Sequence, residues 1–111
     1  MVFTVDPAGL VALLSSSSVD LIDVRGQAEW DTGYIEGSRL VPLEQLRADP
    51  DAHLVRGSVI VFICAKGIRS LQAAKLAERF GHQRVYSLDG GTKQWTRDGL
   101  SLTVDASAAA A

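Results

Sequence analysis

The sequence has a single cysteine and three prolines in 111 residues, no surplus of positive charge and no long apolar run. One cysteine closes no internal disulfide and supplies too few soft ligands for a structural zinc site. A formal charge of −2 leaves little for nucleic acid or an anionic membrane, both of which demand clustered positive charge. No stretch approaches the roughly 20 apolar residues that span a bilayer, so membrane insertion is not expected. The apolar residues 11–14 are too few for a signal peptide, with no basic segment before them and no small-residue cleavage pattern after them. No repeat of solenoid period and no G-x4-G-K-(S/T) phosphate loop occurs. These absences leave a cytoplasmic domain with no metal and no cofactor as the expectation.

What the chain does hold is centred on residues 58–80. Val59, Ile60, Val61, Phe62 and Ile63 form an unbroken β-branched and aromatic run, the pattern of a strand buried on both faces of a parallel sheet. Cys64 closes it. Farther on, Ala73, Leu76, Ala77 and Phe80 recur at i, i+3, i+4 and i+7, the period of one buried helical face, and Gly81 stands at the C-cap. The loop from Cys64 through Ala65, Lys66, Gly67 and Ile68 to Arg69 therefore joins a strand end to a helix start. There the first helical N–H groups lack partners and the peptide dipoles place partial positive charge, so an anion is the natural occupant. A thiol in that place ionises below its ordinary value of about 8.5, with Lys66 and Arg69 assisting. The alternative is a buried structural cysteine. A glycine and two cations beside the sulfur argue against it.

Residues 2–5 alternate as an edge strand, and Asp6-Pro7 offers an N-cap with proline at the first helical position. The helix that follows, through about Leu14, would bury Leu10, Leu13 and Leu14 and end in the serines at 15–18. Residues 19–24 read as a second buried strand, with Asp23 and Arg25 at its carboxyl end, where open α/β sheets bind ligands. Residues 27–32 suit one or two helical turns anchored by a buried Trp30. A short strand at 39–41, a proline-started turn at 42–46 and a surface connection over 48–57 follow. Residues 85–88 form another strand, and Gly90-Gly91 turn the chain into a last helix that holds Trp95. Strands alternating with helical crossovers imply an α/β fold, a mainly parallel sheet covered on both faces. The length suits one domain, expected over residues 1–104, with the small residues at 105–111 a flexible tail.

Three separated segments together resemble the rhodanese family. Leu21-Ile22-Asp23-Val24-Arg25, then Glu29-Trp30, Gly33, Ile35, Gly37 and Val41-Pro42-Leu43, is similar to that family's D-V-R…E-(F/W)…G-(H/Y)-I-x-G…(I/V)-P-L segment. The loop from Cys64 to Ser70 looks like its C-x-x-G-x-R-S active loop, and Leu88-Asp89-Gly90-Gly91…Trp95…Gly99-Leu100 like its closing segment. The resemblance spans about residues 3–102. It implies a three-layer fold on a five-stranded, mainly parallel sheet, and a sulfurtransferase chemistry. Cys64 would take sulfane sulfur from thiosulfate or a persulfide donor and pass it, as a cysteine persulfide, to cyanide, a thiol or a protein acceptor. The backbone amides of Ala65, Lys66, Gly67, Ile68, Arg69 and Ser70 would line the cradle, with the Arg69 side chain stabilising it or a bound anion. Lys66 stands where thiosulfate-using members carry lysine. Tyr34, where histidine is frequent, and Arg39-Leu40, where Ala-Asn or Val-Asn is usual, depart from the pattern and bear on the acceptor.

Other readings are weighed against this one. Phosphatases that resemble the fold hold phosphate with C-x5-R, whereas Cys64 to Arg69 is C-x4-R and Ser70 takes the arginine's place, so a phosphatase or arsenate reductase is disfavoured. A binding or sulfur-relay module serving a partner protein is the alternative of a different class. A cysteine hydrolase needs a histidine within reach of the sulfur, and both His53 and His82 read as solvated surface residues. Asp23 and Arg25 could rim the pocket, but an ion pair tying the strand end to Trp30 or neighbouring loops is the preferred reading.

Overall fold

In the computed structural model, which describes residues 2–105, the apolar run becomes the strand β4 (Val59–Ile63), the middle of five. β4 pairs on one side with β2 (Val19–Asp23), which pairs with β3 (Ser38–Leu40). On its other side lies β5 (Val85–Leu88), flanked by the edge strand β1 (Phe3–Val5). All four pairings are parallel, in the order β1-β5-β4-β2-β3. Among the described residues six helices complete the fold: α1 (Pro7–Ser16), α2 (Gln27–Asp31), α3 (Leu43–Ala48), α4 (Pro50–His53), α5 (Ile68–Arg79) and α6 (Gly91–Arg97).

Because side chains alternate along a strand, β4 feeds two cores at once. Ile60 and Phe62, with Cys64 just beyond, face Ala73, Ala74 and Ala77 of α5 and Leu43 and Leu46 of α3. Val61 and Ile63 face Leu10 of α1 and Trp95 of α6. This is the three-layer α/β architecture expected from the sequence. The buried face of α5 is mostly alanine, which lets the helix lie close to the sheet and brings its first turn over the end of β4.

Several local expectations fail for identifiable reasons. α1 runs two residues past Leu14 because the hydroxyls of Ser15 and Ser16 donate back to Val11 and Ala12 carbonyls, and Leu14 faces outward. Phe80 is 42 % exposed: it sits at the C-cap of α5, off the buried face. The stretch read as surface connection contains α4, started by Asp49 accepting from the Ala52 amide with Pro50 next, and it buries Pro50 and Leu54. The same Asp-Pro signal starts α1, where the Asp6 carboxylate accepts from the Gly9 amide and Pro7 follows. Trp30 is only half-buried, stacked on Tyr34 with ring centroids 3.9 Å apart. His82 is buried, 3 % exposed, because its backbone N–H closes onto the Ala77 carbonyl after α5 and turns the ring inward. Except for Asp105, the expected tail lies outside the described residues.

Candidate active site

Cys64 leaves β4 at the carboxyl end of the central strand, and Gly67 then turns the chain into α5. Gly67 has φ +97°, a left-handed conformation that costs glycine nothing, and it directs the residue's N–H at the sulfur from 3.1 Å. The Ser70 N–H points there from 3.3 Å, and the Ser70 hydroxyl oxygen lies 3.3 Å from Sγ. Burial alone would push the Cys64 thiol up. Hydrogen bonding by the Ser70 hydroxyl and the Ser70, Lys66 and Gly67 amides outweighs it and holds the thiol below its ordinary value.

The residue is 1 % exposed, yet it forms the floor of a cleft of about 390 Å³. Ala65, Lys66, Ile68 and Arg69 of the loop line the walls, joined by Glu29 and Lys93. Ile68 is 66 % exposed and presents an apolar lip. The resemblance gives the Arg69 side chain the stabilising of the cradle or of a bound anion. Its guanidinium forks onto the Glu29 carboxylate, at 2.7 and 2.8 Å, and this pair holds Glu29 down to about 2. Of the three cations on the cleft wall, Arg69 is therefore neutralised, while Lys66 and Lys93 carry no ion pair among the described residues.

Asp23 and Arg25 do not line this cleft. They form a buried bidentate pair, and Arg25 also donates to the carbonyls of Glu29 and Gly33. The ion-pair reading is the one the geometry matches. From there the order is relayed outward: Asp23 orients Arg25, Arg25 holds α2, and Glu29 of α2 holds Arg69 of α5.

Glu29, Lys93 and Ser87 were not singled out from the sequence as site residues. Glu29 and Lys93 come to the cleft from α2 and α6, 35 and 29 positions from Cys64, and no local spacing announces them. The Gly90-Gly91 pair was the available signal, read only as a turn. In the fold, the Thr92 and Lys93 amides donate to the carbonyls of Cys64 and Ala65, and a Cβ on Gly91 would lie 2.3 Å from the Cys64 carbonyl oxygen. The glycines let α6 dock against the loop, which is how Lys93 arrives at the cleft.

Residues 6–98 match the family described as the rhodanese-like domain. The chain is 31 % identical over 96 residues to the probable adenylyltransferase/sulfurtransferase MoeZ of Mycobacterium tuberculosis, covering 85 % of this chain but only 24 % of that protein, so it spans about a quarter of this relative's length. It is 34 % identical over 91 residues to the thiosulfate sulfurtransferase GlpE of Shewanella oneidensis, covering 78 % of this chain and 84 % of GlpE. Among solved structures, a rhodanese-related protein from Thermoplasma volcanium superposes with a TM-score of 0.83 at 25 % identity, over 93 % of this chain and 99 % of that one.

Proposed function

The chain belongs to the rhodanese-like domain family, and from that premise we propose that it is a sulfurtransferase in which Cys64 carries the transferred sulfur. The thiolate attacks the outer sulfur of thiosulfate or of a persulfide donor. A new S–S bond forms, the donor's own S–S bond breaks, and sulfite or a thiolate leaves with the electron pair. The persulfide remains on Cys64. A thiol, cyanide or an acceptor protein's cysteine then attacks the outer sulfur, and Cys64 is regenerated as thiolate. The observation that carries this reading is the sulfur at the cleft floor with the Gly67 and Ser70 amides directed at it from 3.1 and 3.3 Å. Those donors stabilise the Cys64 thiolate before the first step and again in the second, when negative charge returns to the same sulfur as it leaves the transferred atom.

The charges on the cleft wall favour a doubly charged donor. Lys66 and Lys93, unpaired among the described residues, offer two cations to the oxyanion end of thiosulfate, and GlpE, a relative named for that donor, matches 78 % of this chain. A reducing cytoplasmic compartment suits a lone thiol that must stay free.

The test is the intact mass after incubation with thiosulfate. A gain of about 32 Da that reductant removes and Cys64→Ser abolishes is expected, as for a reversible persulfide. An unchanged mass on folded protein overturns the proposal.

A further inference from the structure

Behind the sulfur two buried hydroxyl oxygens stand in file with it. Cys64 Sγ is 3.3 Å from Ser70 Oγ, which is 2.7 Å from Ser87 Oγ. The three residues are 1 %, 0 % and 2 % exposed. They come from three different elements: the end of β4, the first turn of α5, and β5. Ser87 alternates with Tyr86 and Leu88, so it shares with Val85 the face of β5 that α5 covers. Among the described residues, the Ser87 hydroxyl has no partner other than Ser70.

The file holds two hydroxyl hydrogens, and they can be arranged in two directions. When Ser87 donates to Ser70 and Ser70 donates to sulfur, both hydrogens are used and the chain ends on Sγ as acceptor. In the opposite direction a thiol S–H donates to Ser70 and Ser70 donates to Ser87. The Ser87 hydrogen is then left buried with nothing to receive it, an unfavourable state for a hydroxyl. A donor that is itself receiving a hydrogen bond is polarised into a stronger donor. We propose that Ser87 is a positioning residue which, acting through Ser70, directs this hydrogen-bond chain onto the sulfur and thereby favours the thiolate of Cys64 and the persulfide that replaces it. Ser87 touches no substrate and lies outside the cleft.

The inference rests on the reading of Cys64 as a reacting thiolate, but its test needs no sulfur donor. The pH dependence of iodoacetamide alkylation of the single cysteine is measured for the wild type, Ser87→Ala, Ser70→Ala, the double variant and Ser87→Thr. In Ser87→Ala the alkylation midpoint rises by about half a unit, roughly a threefold loss of thiolate at a given pH below it. Ser70→Ala raises the midpoint further, Ser87→Ala adds nothing in the Ser70→Ala background, and Ser87→Thr, which keeps the hydroxyl, stays close to wild type. Thermal unfolding of each variant confirms that the folded protein is being titrated. An unmoved midpoint in Ser87→Ala overturns the relay. So does a rise of equal size with and without Ser70, because Ser87 would then act through packing. Failure of the wild type to gain sulfur from thiosulfate would remove the transferase reading and leave these midpoints as they are.

Discussion

At the scale of single residues, one carboxylate changes how the cleft's charge must be counted. Glu29 accepts both arms of the Arg69 guanidinium and, through Oε1, the Gly26 N–H. The pair is more than a third exposed on both sides, so its contribution is that of a screened surface pair, about 0.2–1 kcal/mol. Its sign with pH follows from the direction of the shift. Glu29 falls from 4.5 to about 2 in the folded protein, so the stabilisation is present above about 4.5 and is lost as pH drops toward 2. Glu29→Gln is expected to lower the denaturant midpoint at pH 7 by a small amount that vanishes near pH 2. Lys93 has the opposite standing, an exposed cation with no ion pair among the described residues beside the sulfur. Lys93→Glu should raise the thiosulfate KM by roughly tenfold at low ionic strength, with the effect shrinking as salt screens it. Steady-state assays at two salt concentrations would show it. An unchanged KM would mean that the side chain does not meet the donor.

At the scale of elements, the loop owes its shape to what docks on it. α6 begins at two left-handed glycines, and Gly91 packs directly on the Cys64 and Ala65 peptide groups. A methyl group at residue 91 cannot be accommodated by a side-chain rotation, because the atoms it meets are backbone and φ is +61°. Gly91→Ala should therefore cost about 2–4 kcal/mol of unfolding free energy, the range of backbone-strain and overpacking substitutions, and should reduce thiol reactivity along with it. Thermal unfolding and iodoacetamide rates on the same sample measure the two effects. Gly90→Ala is strained as well, because φ is +75° and the added Cβ would meet the Cβ of Gln94, which no side-chain rotation moves. Outside the cleft the buried Asp23–Arg25 pair anchors α2, and through it Arg69, so an element that touches no sulfur still decides where a cleft residue points.

At the scale of the whole molecule, His82 is a second feature that couples folding to pH, at less acidic values than Glu29. Neither ring nitrogen has a hydrogen-bond partner among the described residues. Burial, reinforced by the nearby Arg56 and only partly offset by Asp51, pushes the imidazole below its ordinary 6.5. The unfolded chain therefore binds a proton that the folded chain resists. Stability should be level above about pH 6.5 and decline as pH falls below it. Replacing the ring by glutamine should remove that decline, and denaturant unfolding of His82→Gln and wild type at pH 7.5 and 5.5 would test it. A wild-type difference between the two pH values that survives in His82→Gln would assign the effect elsewhere. His53, by contrast, is half-buried at the end of α4.

The strand-loop-helix order around Cys64 and the parallel sheet were legible in the chain itself, because each rests on local rules. Apolar runs make buried strands, a 3.6-residue period makes a packed helix, and a glycine beside cations at a helix start makes an anion seat. Tertiary structure alone decided the rest. Whether Arg69 faces the cleft or Glu29, whether Ser87 stands behind the sulfur, and whether Lys93 joins Lys66 depend on which elements meet across the sheet. His82 was misread for the same reason, since one backbone bond to Ala77 turns it inward and nothing in its neighbours along the chain foretells that. Local sequence sets what each segment prefers to be. Contacts between segments separated by tens of residues set which charges are neutralised, and that balance governs what the sulfur can do.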